Sequence, residues 1–307
     1  MSGSVRPIDV MDTLGVKSAI VTGAGRGIGR EEALLLAAEG AVVWVNDIDD
    51  DEARSVVEEI RVRGGSAHPD THDVATFAGA EALVSTVVAE HGRLDVVVNN
   101  AGVLADAMSF SMDERQWDSV IGVHLRGHFA MTHFAGMHWR ERSKAAGTDD
   151  PPVTGRIVNT TSESGLYGLA GQVNYAAAKA GIAAMTVVTA RELHRYGVTV
   201  NAIAPRARTR MTESVLGSLL PEEGEFDEWD PGNIAPVVAW LASDAAAAIS
   251  GQVFVVNGDK VHLMDGWTRY GRIDNAGRRW TVDELVHRAP DLFGERGSKL
   301  PPMGFGE

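Results

Sequence analysis

The fold follows from one stretch of this 307-residue chain, Ser18-Ala19-Ile20-Val21-Thr22-Gly23-Ala24-Gly25-Arg26-Gly27-Ile28-Gly29. Its β-branched start predicts a buried strand, and a helical pattern follows from residue 29 to residue 39. Glycines between a strand and a helix let the backbone turn tightly and approach a phosphate, whose charge the helix N-terminus favours. The stretch therefore predicts a phosphate-binding turn whose ligand contacts come from Gly23, Arg26, Gly27, Ile28 and Gly29.

The alternation of strand and helix continues along the chain. Apolar runs predict further strands at residues 41–45, 94–98, 156–159, 198–201 and 253–256. Helical patterns occur at residues 51–63, 76–91, 115–144, 173–196 and 231–243. Strands that are apolar throughout are buried on both faces, which is typical of a parallel sheet. We predict an α/β fold, a Rossmann-like doubly wound parallel sheet of about seven strands flanked by helices, with ligands at the carboxyl ends of the strands.

Composition excludes several classes of function. A net charge of −14 and a pI near 5.1 oppose binding to nucleic acid or to an anionic membrane, because both need a positive field. No apolar run is long enough for a membrane span, and residues 1–16 do not resemble a signal peptide. The chain has no cysteine, which is consistent with the cytoplasm. Its ten histidines lack paired ligand spacing, so we predict no metal site and a small-molecule partner.

Asp47 bears on the identity of the dinucleotide. It follows the second predicted strand, where an acidic side chain can accept hydrogen bonds from the adenosine ribose and repel a 2′-phosphate. This position favours NAD over NADP. Two observations leave room for other interpretations: Asp47 could cap the helix that follows, and Arg26 could meet a phosphate or form a surface ion pair.

A second group of residues suggests acid–base chemistry. Tyr175 and Lys179 are four residues apart at the start of a helical pattern, so they share one face. An ammonium group close to a phenol favours the phenolate and brings its pKa towards neutral pH. Ser162 ends the preceding strand, where its hydroxyl could hydrogen-bond a substrate oxygen. The alternative interpretation of the tyrosine and lysine is an exposed helical pair without a function.

These motifs together resemble the short-chain dehydrogenase/reductase family over residues 16–258. The family pattern comprises the glycine turn at residues 22–29, Asn99-Asn100-Ala101-Gly102, then Ser162, Tyr175 and Lys179. The resemblance implies that Tyr175 is the general acid/base, that Lys179 binds the nicotinamide ribose, and that Ser162 orients the substrate carbonyl. It also implies that Asp73 and Val74 hold the adenine, and that Asn100, Ala101 and Gly102 lie beside the cofactor.

The chain departs from the family pattern at two positions. His124 stands where the family's proton-relay asparagine is expected, and it could support a water-mediated relay or be a packing residue. Pro205 is followed by Arg206 instead of the usual glycine. The resemblance still places Pro205 beside the cofactor and Thr209 at the nicotinamide carboxamide.

A narrower resemblance concerns the substrate class, and it is to the hydroxyacyl-CoA or hydroxysteroid dehydrogenase domain of peroxisomal multifunctional enzymes. It rests on residues 123–127, Tyr167-Gly168, Gly171-Gln172, residues 210–212, residues 234–236 and Trp240-Leu241. It implies oxidation of a 3-hydroxyacyl thioester or hydroxysteroid with NAD, by a homodimer or homotetramer. The alternatives are an NADPH-dependent 3-oxoacyl thioester reductase and an NAD-binding sensor without catalysis.

Two segments fall outside the strand and helix pattern. Residues 145–155 contain Gly147, Pro151 and Pro152, which predict a surface loop. Residues 260–307 mix aromatic side chains with a Gly/Pro-rich end. We predict a single NAD-binding catalytic domain at residues 1–259 and a C-terminal extension at 260–307 that packs on its own subunit or on a neighbour.

Overall fold

The computed structural model describes residues 14–15, 17–147, 152–209, 221 and 224–294 of the chain. Part of the predicted loop at residues 145–155, the motif at 210–212 and the end of the extension lie outside these ranges.

One mixed sheet forms the centre of the structure. Its strands are β1 (Ser18–Thr22), β2 (Val42–Asn46), β3 (Ser66–Asp70), β4 (Val96–Asn99), β5 (Gly155–Thr160), β6 (Val198–Arg206), β7 (Val253–Asn257) and β8 (Lys260–Leu263). They lie in the order β3-β2-β1-β4-β5-β6-β7-β8, and all neighbours are parallel except β7 and β8. The strand order reverses between β1 and β4, so a crevice for a ligand is expected at their carboxyl ends.

Helices cover both faces of the sheet. In the described ranges of the first 263 residues they are α1 (Gly27–Ala38), α2 (Asp50–Val62), α3 (Phe77–His91), α4 (Glu114–Ile121), α5 (Gly127–Ala145), α6 (Glu163–Tyr167), α7 (Val173–Leu193) and α8 (Ala235–Ala242). A further helix, α9 (Val282–Arg288), follows later in the chain. One apolar cluster joins α1, α2 and α8 to the sheet, and a second joins α3 and α5 to the opposite face. Strands β1, β4 and β5 are fully buried because both of their faces contact these clusters.

The predicted fold class is confirmed, and the differences are local. The sheet has eight strands instead of about seven. Strand β3 has the sequence Ser66-Ala67-His68-Pro69-Asp70, which contains no apolar run, and β8 is an exposed antiparallel edge strand. The single helix predicted at residues 115–144 is divided into α4 and α5 by a π-helical segment, Gly122–Arg126.

The chain divides into two compact units, Met1–Leu263 and Met264–Glu307. Strand β8 belongs to the first unit, although it begins at Lys260, the first residue of the predicted extension. In the second unit, Thr281 caps α9 and forms a capping box with Glu284. The proposed division into a catalytic domain and an extension, and the packing of that extension, remain predictions.

Candidate active site

The glycine turn is fastened to the segment that follows β4. Asn100 Nδ2 donates hydrogen bonds to Thr22 O at 3.0 Å and to Gly23 O at 3.1 Å. Gly23 has a φ of +63°, and a Cβ there would lie 2.7 Å from Ala101 Cα. A Cβ on Gly29 would lie 2.4 Å from Gly23 O, so helix and turn approach more closely than a side chain allows. The two motifs therefore form one packed unit at the strand-order reversal.

A cavity of about 340 Å³ opens at this unit, at the carboxyl ends of β1, β2 and β4. Most of the residues predicted to bind the cofactor line it: Gly23, Arg26, Gly27, Ile28, Asp47, Asp73, Val74, Asn100, Ala101, Gly102 and Thr209. Four predicted residues are not part of the lining: Gly29, Tyr175, Lys179 and Pro205. The lining also includes five residues that were not predicted to bind the cofactor: Asn46, Ile48, Ala75, Val103 and Val123.

The N-terminus of α1 suits a pyrophosphate. Gly27 and Ile28, the first two residues of this helix, line the cavity. The N-cap residue Arg26 provides no side-chain acceptor for the first-turn amides, and the first turn contains no acidic residue. Helix N-termini attract anions through such amides and through the helix dipole. The residues present therefore fit the phosphates of a dinucleotide.

Asp47 is built into the glycine turn. Its Oδ2 accepts a hydrogen bond from Gly25 N at 3.0 Å, and its Oδ1 accepts one from Asp49 N at 3.1 Å. Asp49, not Asp47, is the N-cap of α2, so the interpretation of Asp47 as a helix cap is wrong. Arg26 Nη1 lies 3.3 Å from Glu52 Oε1, which is the surface ion pair considered as an alternative.

Ser162, Tyr175 and Lys179 meet at the carboxyl end of β5. Ser162 is the N-cap of α6, and its hydroxyl oxygen accepts a hydrogen bond from Ser164 N at 3.2 Å. The Ser162 side chain also hydrogen-bonds the Tyr175 hydroxyl. The Lys179 ammonium lies 5.4 Å from the centre of the Tyr175 ring and donates to Thr160 O at 2.6 Å. The structure thus brings the predicted catalytic residues together.

Burial dominates the proton affinities of this group. It lowers the pKa of Lys179 from 10.5 to about 7, because a charged ammonium is disfavoured away from water. Burial also raises the pKa of Tyr175, and the hydrogen bond from Ser162 only partly opposes this effect. The expectation that a neighbouring ammonium sets a lowered phenol pKa is wrong for the protein alone, because desolvation is the larger effect.

His124 lies in the π-helical segment, almost fully buried at the edge of the Tyr175 ring. The ring centres are 5.2 Å apart with an interplanar angle of 85°. Nε2 lies 3.0 Å from Val103 N and 2.8 Å from Val103 O, so one of these backbone groups is its hydrogen-bond partner. Burial lowers the pKa of His124 to about 3. The imidazole is therefore neutral at physiological pH, and its role in a proton relay remains a prediction.

The loop after β6 reaches the site from the other side. Thr209 lies opposite Gly27, where an added Cβ would be 3.6 Å from the Thr209 methyl group. Arg206, in place of the glycine of the family pattern, binds the carboxylate of Glu163, the residue after Ser162. Strand β6 keeps its register with β7 as far as Arg206, so the substitution leaves the strand intact.

Sequence reasoning missed three groups that position the catalytic residues. Thr161 Oγ1 donates a hydrogen bond to Lys179 O at 2.6 Å, and the backbone carbonyl of Thr160 accepts a hydrogen bond from the Lys179 ammonium. Asn174 accepts a hydrogen bond from Tyr175 N at 2.7 Å and donates to Ala105 O at 3.0 Å. A backbone carbonyl leaves no signal in the sequence, but the polar Asn174 directly before Tyr175 could have been noticed.

Membrane spans and metal sites are both absent from the described part of the chain. No helix in it is both long and apolar enough to cross a membrane. No group of three or more histidine and acidic side chains in these same ranges could hold a metal ion.

Comparison with known proteins gives consistent matches. A family model described as short chain dehydrogenase matches residues 17–217. The chain is 45% identical to the hydroxyacyl-CoA dehydrogenase ChsB1 of Mycobacterium tuberculosis, and the match covers 95% of this chain and 93% of that protein. A crystal structure of a short chain dehydrogenase from Mycobacterium avium is 46% identical, with a TM-score of 0.84 over 95% of this chain and 98% of that one.

Two other relatives are informative. The peroxisomal multifunctional enzyme type 2 of Drosophila melanogaster is 39% identical over 81% of this chain and 39% of its own length. The 3-oxoacyl-(acyl-carrier-protein) reductase FabG of Staphylococcus aureus is 41% identical over 79% of this chain and 97% of its own length.

Proposed function

Because the chain belongs to the short-chain dehydrogenase family, we propose that it oxidises the secondary hydroxyl of a 3-hydroxyacyl thioester or a hydroxysteroid, with NAD as the hydride acceptor. Family membership confirms the resemblance predicted from the motifs, including the narrower one to multifunctional enzymes. It makes the protein an oxidoreductase that acts on CH–OH groups with a nicotinamide cofactor. The choice of NAD, the substrate class and the direction are the proposal.

The near full-length match to a hydroxyacyl-CoA dehydrogenase carries the choice of substrate class. The match extends over 299 residues, and therefore well beyond the motifs that are common to the family. The choice of NAD rests on Asp47, whose carboxylate lines the cavity and would repel a 2′-phosphate. When bound, the nicotinamide ring of the cofactor accepts the hydride.

We assign the parts of the cofactor to the glycine turn and to residues on the two sides of the cavity. We assign the pyrophosphate to the α1 N-terminus at Gly27 and Ile28, and the adenosine ribose to Asp47. Asp73 and Val74 are assigned to the adenine. Thr209, with Pro205 before it, is assigned to the nicotinamide side.

The chemistry of the alcohol is assigned to Tyr175 and Ser162. Ser162 accepts a hydrogen bond from Ser164 N, which orients its own hydroxyl group beside the Tyr175 oxygen. A substrate oxygen bound between these two hydroxyl groups would lose its proton to the tyrosine oxygen, which acts as general base. The Lys179 ammonium supplies positive charge 5.4 Å from the centre of the Tyr175 ring, and its hydrogen bond to Thr160 O holds it in place.

The reverse reaction is a second candidate function, and the similarity to FabG favours it. The same residues can catalyse reduction of a 3-oxoacyl thioester, with Tyr175 as the general acid, and NADPH would then be the cofactor. An NAD-binding sensor is the non-catalytic alternative. We also propose that the protein is cytoplasmic and that it forms a homodimer or homotetramer, which is the usual assembly implied by the family. Light scattering can measure the number of subunits.

Turnover assays test these proposals directly. A panel of 3-hydroxyacyl-CoA thioesters and hydroxysteroids is offered with NAD or NADP, and reduced nicotinamide is followed by absorbance. Tyr175→Phe should lower kcat by about 10³-fold or more, because it removes the general base. Tyr196→Phe, on a partly exposed tyrosine far along the chain, is the matched control. Equal activity of Tyr175→Phe and wild type would support the sensor, and a strong NADP preference would reject NAD.

A further inference from the structure

Glu163 and Arg206 form an ion pair across the carboxyl ends of β5 and β6. Arg206 Nη2 donates to Glu163 Oε1 at 2.7 Å, and Arg206 Nε donates to the other carboxylate oxygen. Glu163 is 7% exposed, and the Arg206 side chain is 24% exposed. Bidentate arginine–carboxylate pairs fix both distance and orientation, and partial burial limits their screening by solvent.

The segment that carries Glu163 is also held by contacts with β6 and α7. Thr161 N donates to Ile203 O on β6 at 2.7 Å, and Thr161 Oγ1 donates to the carbonyl of Lys179. A Cβ on Gly165 would lie 2.5 Å from Ala180 N, so α6 packs directly on α7 beside Lys179. Ser162 lies within this segment, between Thr161 and Glu163. Its position therefore depends on contacts with both β6 and α7.

The Arg206 end of the pair belongs to the other half of the site. Arg206 follows Pro205 and precedes the loop to Thr209, which lines the cofactor cavity. The pair therefore connects the residue next to the substrate-orienting serine with the loop on the nicotinamide side. Hydride transfer requires the donor carbon and the acceptor ring in a defined arrangement, and a displacement of about 1 Å can cost on the order of 100-fold in rate.

We propose that Glu163 and Arg206 are positioning residues, which together hold Ser162 and the loop after β6 in the arrangement needed for hydride transfer. The proposal rests on the proposed function, because it presupposes that Ser162 orients the reacting oxygen. Neither residue contacts the reacting atoms in this assignment. Their effect is transmitted through Ser162 and through the loop that Pro205 begins.

The test compares Glu163→Gln with a control variant, Asp244→Asn, which breaks ion pairs at the amino end of β5. Asp244→Asn removes a carboxylate that binds Arg156 on β5 at 3.2 Å and Lys17 at 2.8 Å. For Glu163→Gln we expect kcat to fall about 10- to 100-fold, with a larger primary deuterium isotope effect and an unchanged Kd for NAD. Asp244→Asn should keep kcat and the isotope effect within about twofold of wild type.

Arg206→Lys is the conservative variant, and it also serves if Glu163→Gln does not fold. Lysine keeps the positive charge but cannot form the two-pronged contact, so kcat should fall by an intermediate factor. A kcat and isotope effect that match those of Asp244→Asn in both Glu163→Gln and Arg206→Lys would overturn the proposal. So would a loss that appears only in the Kd for NAD.

A spectroscopic measurement separates this proposal from the proposed function. The chain has four tyrosines, so the ¹³Cζ resonance of Tyr175 can be assigned by comparison with Tyr175→Phe. Displacement of Ser162 alters the hydrogen bond on the Tyr175 hydroxyl, which should shift this resonance in Glu163→Gln and not in Asp244→Asn. A wild type that oxidises no alcohol would refute the proposed function, whereas an unshifted resonance would refute the role of the ion pair.

Discussion

Replacing Glu32 by methionine should stabilise the folded protein by about 3 kcal/mol at pH 7. Glu32 lies on α1 with no exposed surface, and neither of its carboxylate oxygens has a hydrogen-bond partner among the described residues. Burial raises the pKa of this carboxyl group from 4.5 to about 8. Methionine has a similar volume and is apolar, so it can occupy the same space without a desolvated carboxyl group.

The magnitude follows from the difference in proton affinity between the folded and unfolded states. Because the pKa is raised on folding, Glu32 is protonated in the folded protein but ionised in the unfolded chain between pH 4.5 and pH 8. The free energy of unfolding therefore falls as pH rises in this window, by about 1.4 kcal/mol per pH unit from this one group. The loss reaches about 3 kcal/mol at pH 7 and levels off near 5 kcal/mol above pH 8.

Urea denaturation of wild type and variant at pH 5, 7 and 8.5, followed by circular dichroism at one protein concentration, measures this effect. The stability difference should widen from about 1 kcal/mol at pH 5 to more than 4 kcal/mol at pH 8.5. Glu31→Met is the matched control, because Glu31 is partly exposed on the same helix and pairs with Arg30. A difference for Glu32→Met that is the same at all three pH values would refute the reasoning.

Three further predictions concern the site. Asp47→Asn keeps an oxygen for Gly25 N but removes the charge, so the ratio of kcat/KM for NADP to that for NAD should rise about tenfold or more in steady-state assays. Gly29→Ala should weaken NAD binding, measured by calorimetry, because the added methyl group would clash with Gly23 O. Gly266→Ala is the control: its methyl group has no neighbour within 4 Å, so this variant should bind NAD like wild type. The rate of alcohol oxidation should rise with pH around 7, and Lys179→Arg should move this rise to alkaline pH; a rise above pH 9 in wild type would contradict it.

The sequence predicted the parts of the fold that depend on local pattern. Strands β1 and β4 each contain a run of three consecutive apolar residues, so their burial in a parallel sheet could be inferred directly. Strand β3 could not, because its two half-exposed central residues, His68 and Pro69, carry no apolar signal. Its place at the sheet edge comes from pairing with β2, which is a tertiary effect.

The site shows the same division. The four-residue spacing of Tyr175 and Lys179 was enough to place them on one face of α7. The spacing carries no information on burial, which reverses the expected direction of the phenol pKa. The contact of Lys179 with Thr160 O and the pair of Glu163 with Arg206 join residues distant in sequence, so only the folded structure brings them together.

The Lys179 ammonium lies 5.4 Å from the centre of the Tyr175 ring and both groups are buried, so the two side chains can be considered as one acid–base pair. In the protein alone, the ammonium loses its proton first, at a pKa of about 7, while the phenol remains protonated. Molecules in which the pair has lost one proton exist in two forms. In the minor form the phenol is ionised and the lysine is charged, and the fraction of these molecules in the minor form does not change with pH. This minor form is the one that can accept a proton from an alcohol. The active fraction therefore rises with the first ionisation of the pair, so a tyrosine with a raised pKa can serve as a base near neutral pH. An arginine in place of Lys179 stays protonated, so the pair can then lose a proton only from the phenol. Because the pKa of Tyr175 is raised, this ionisation requires alkaline pH.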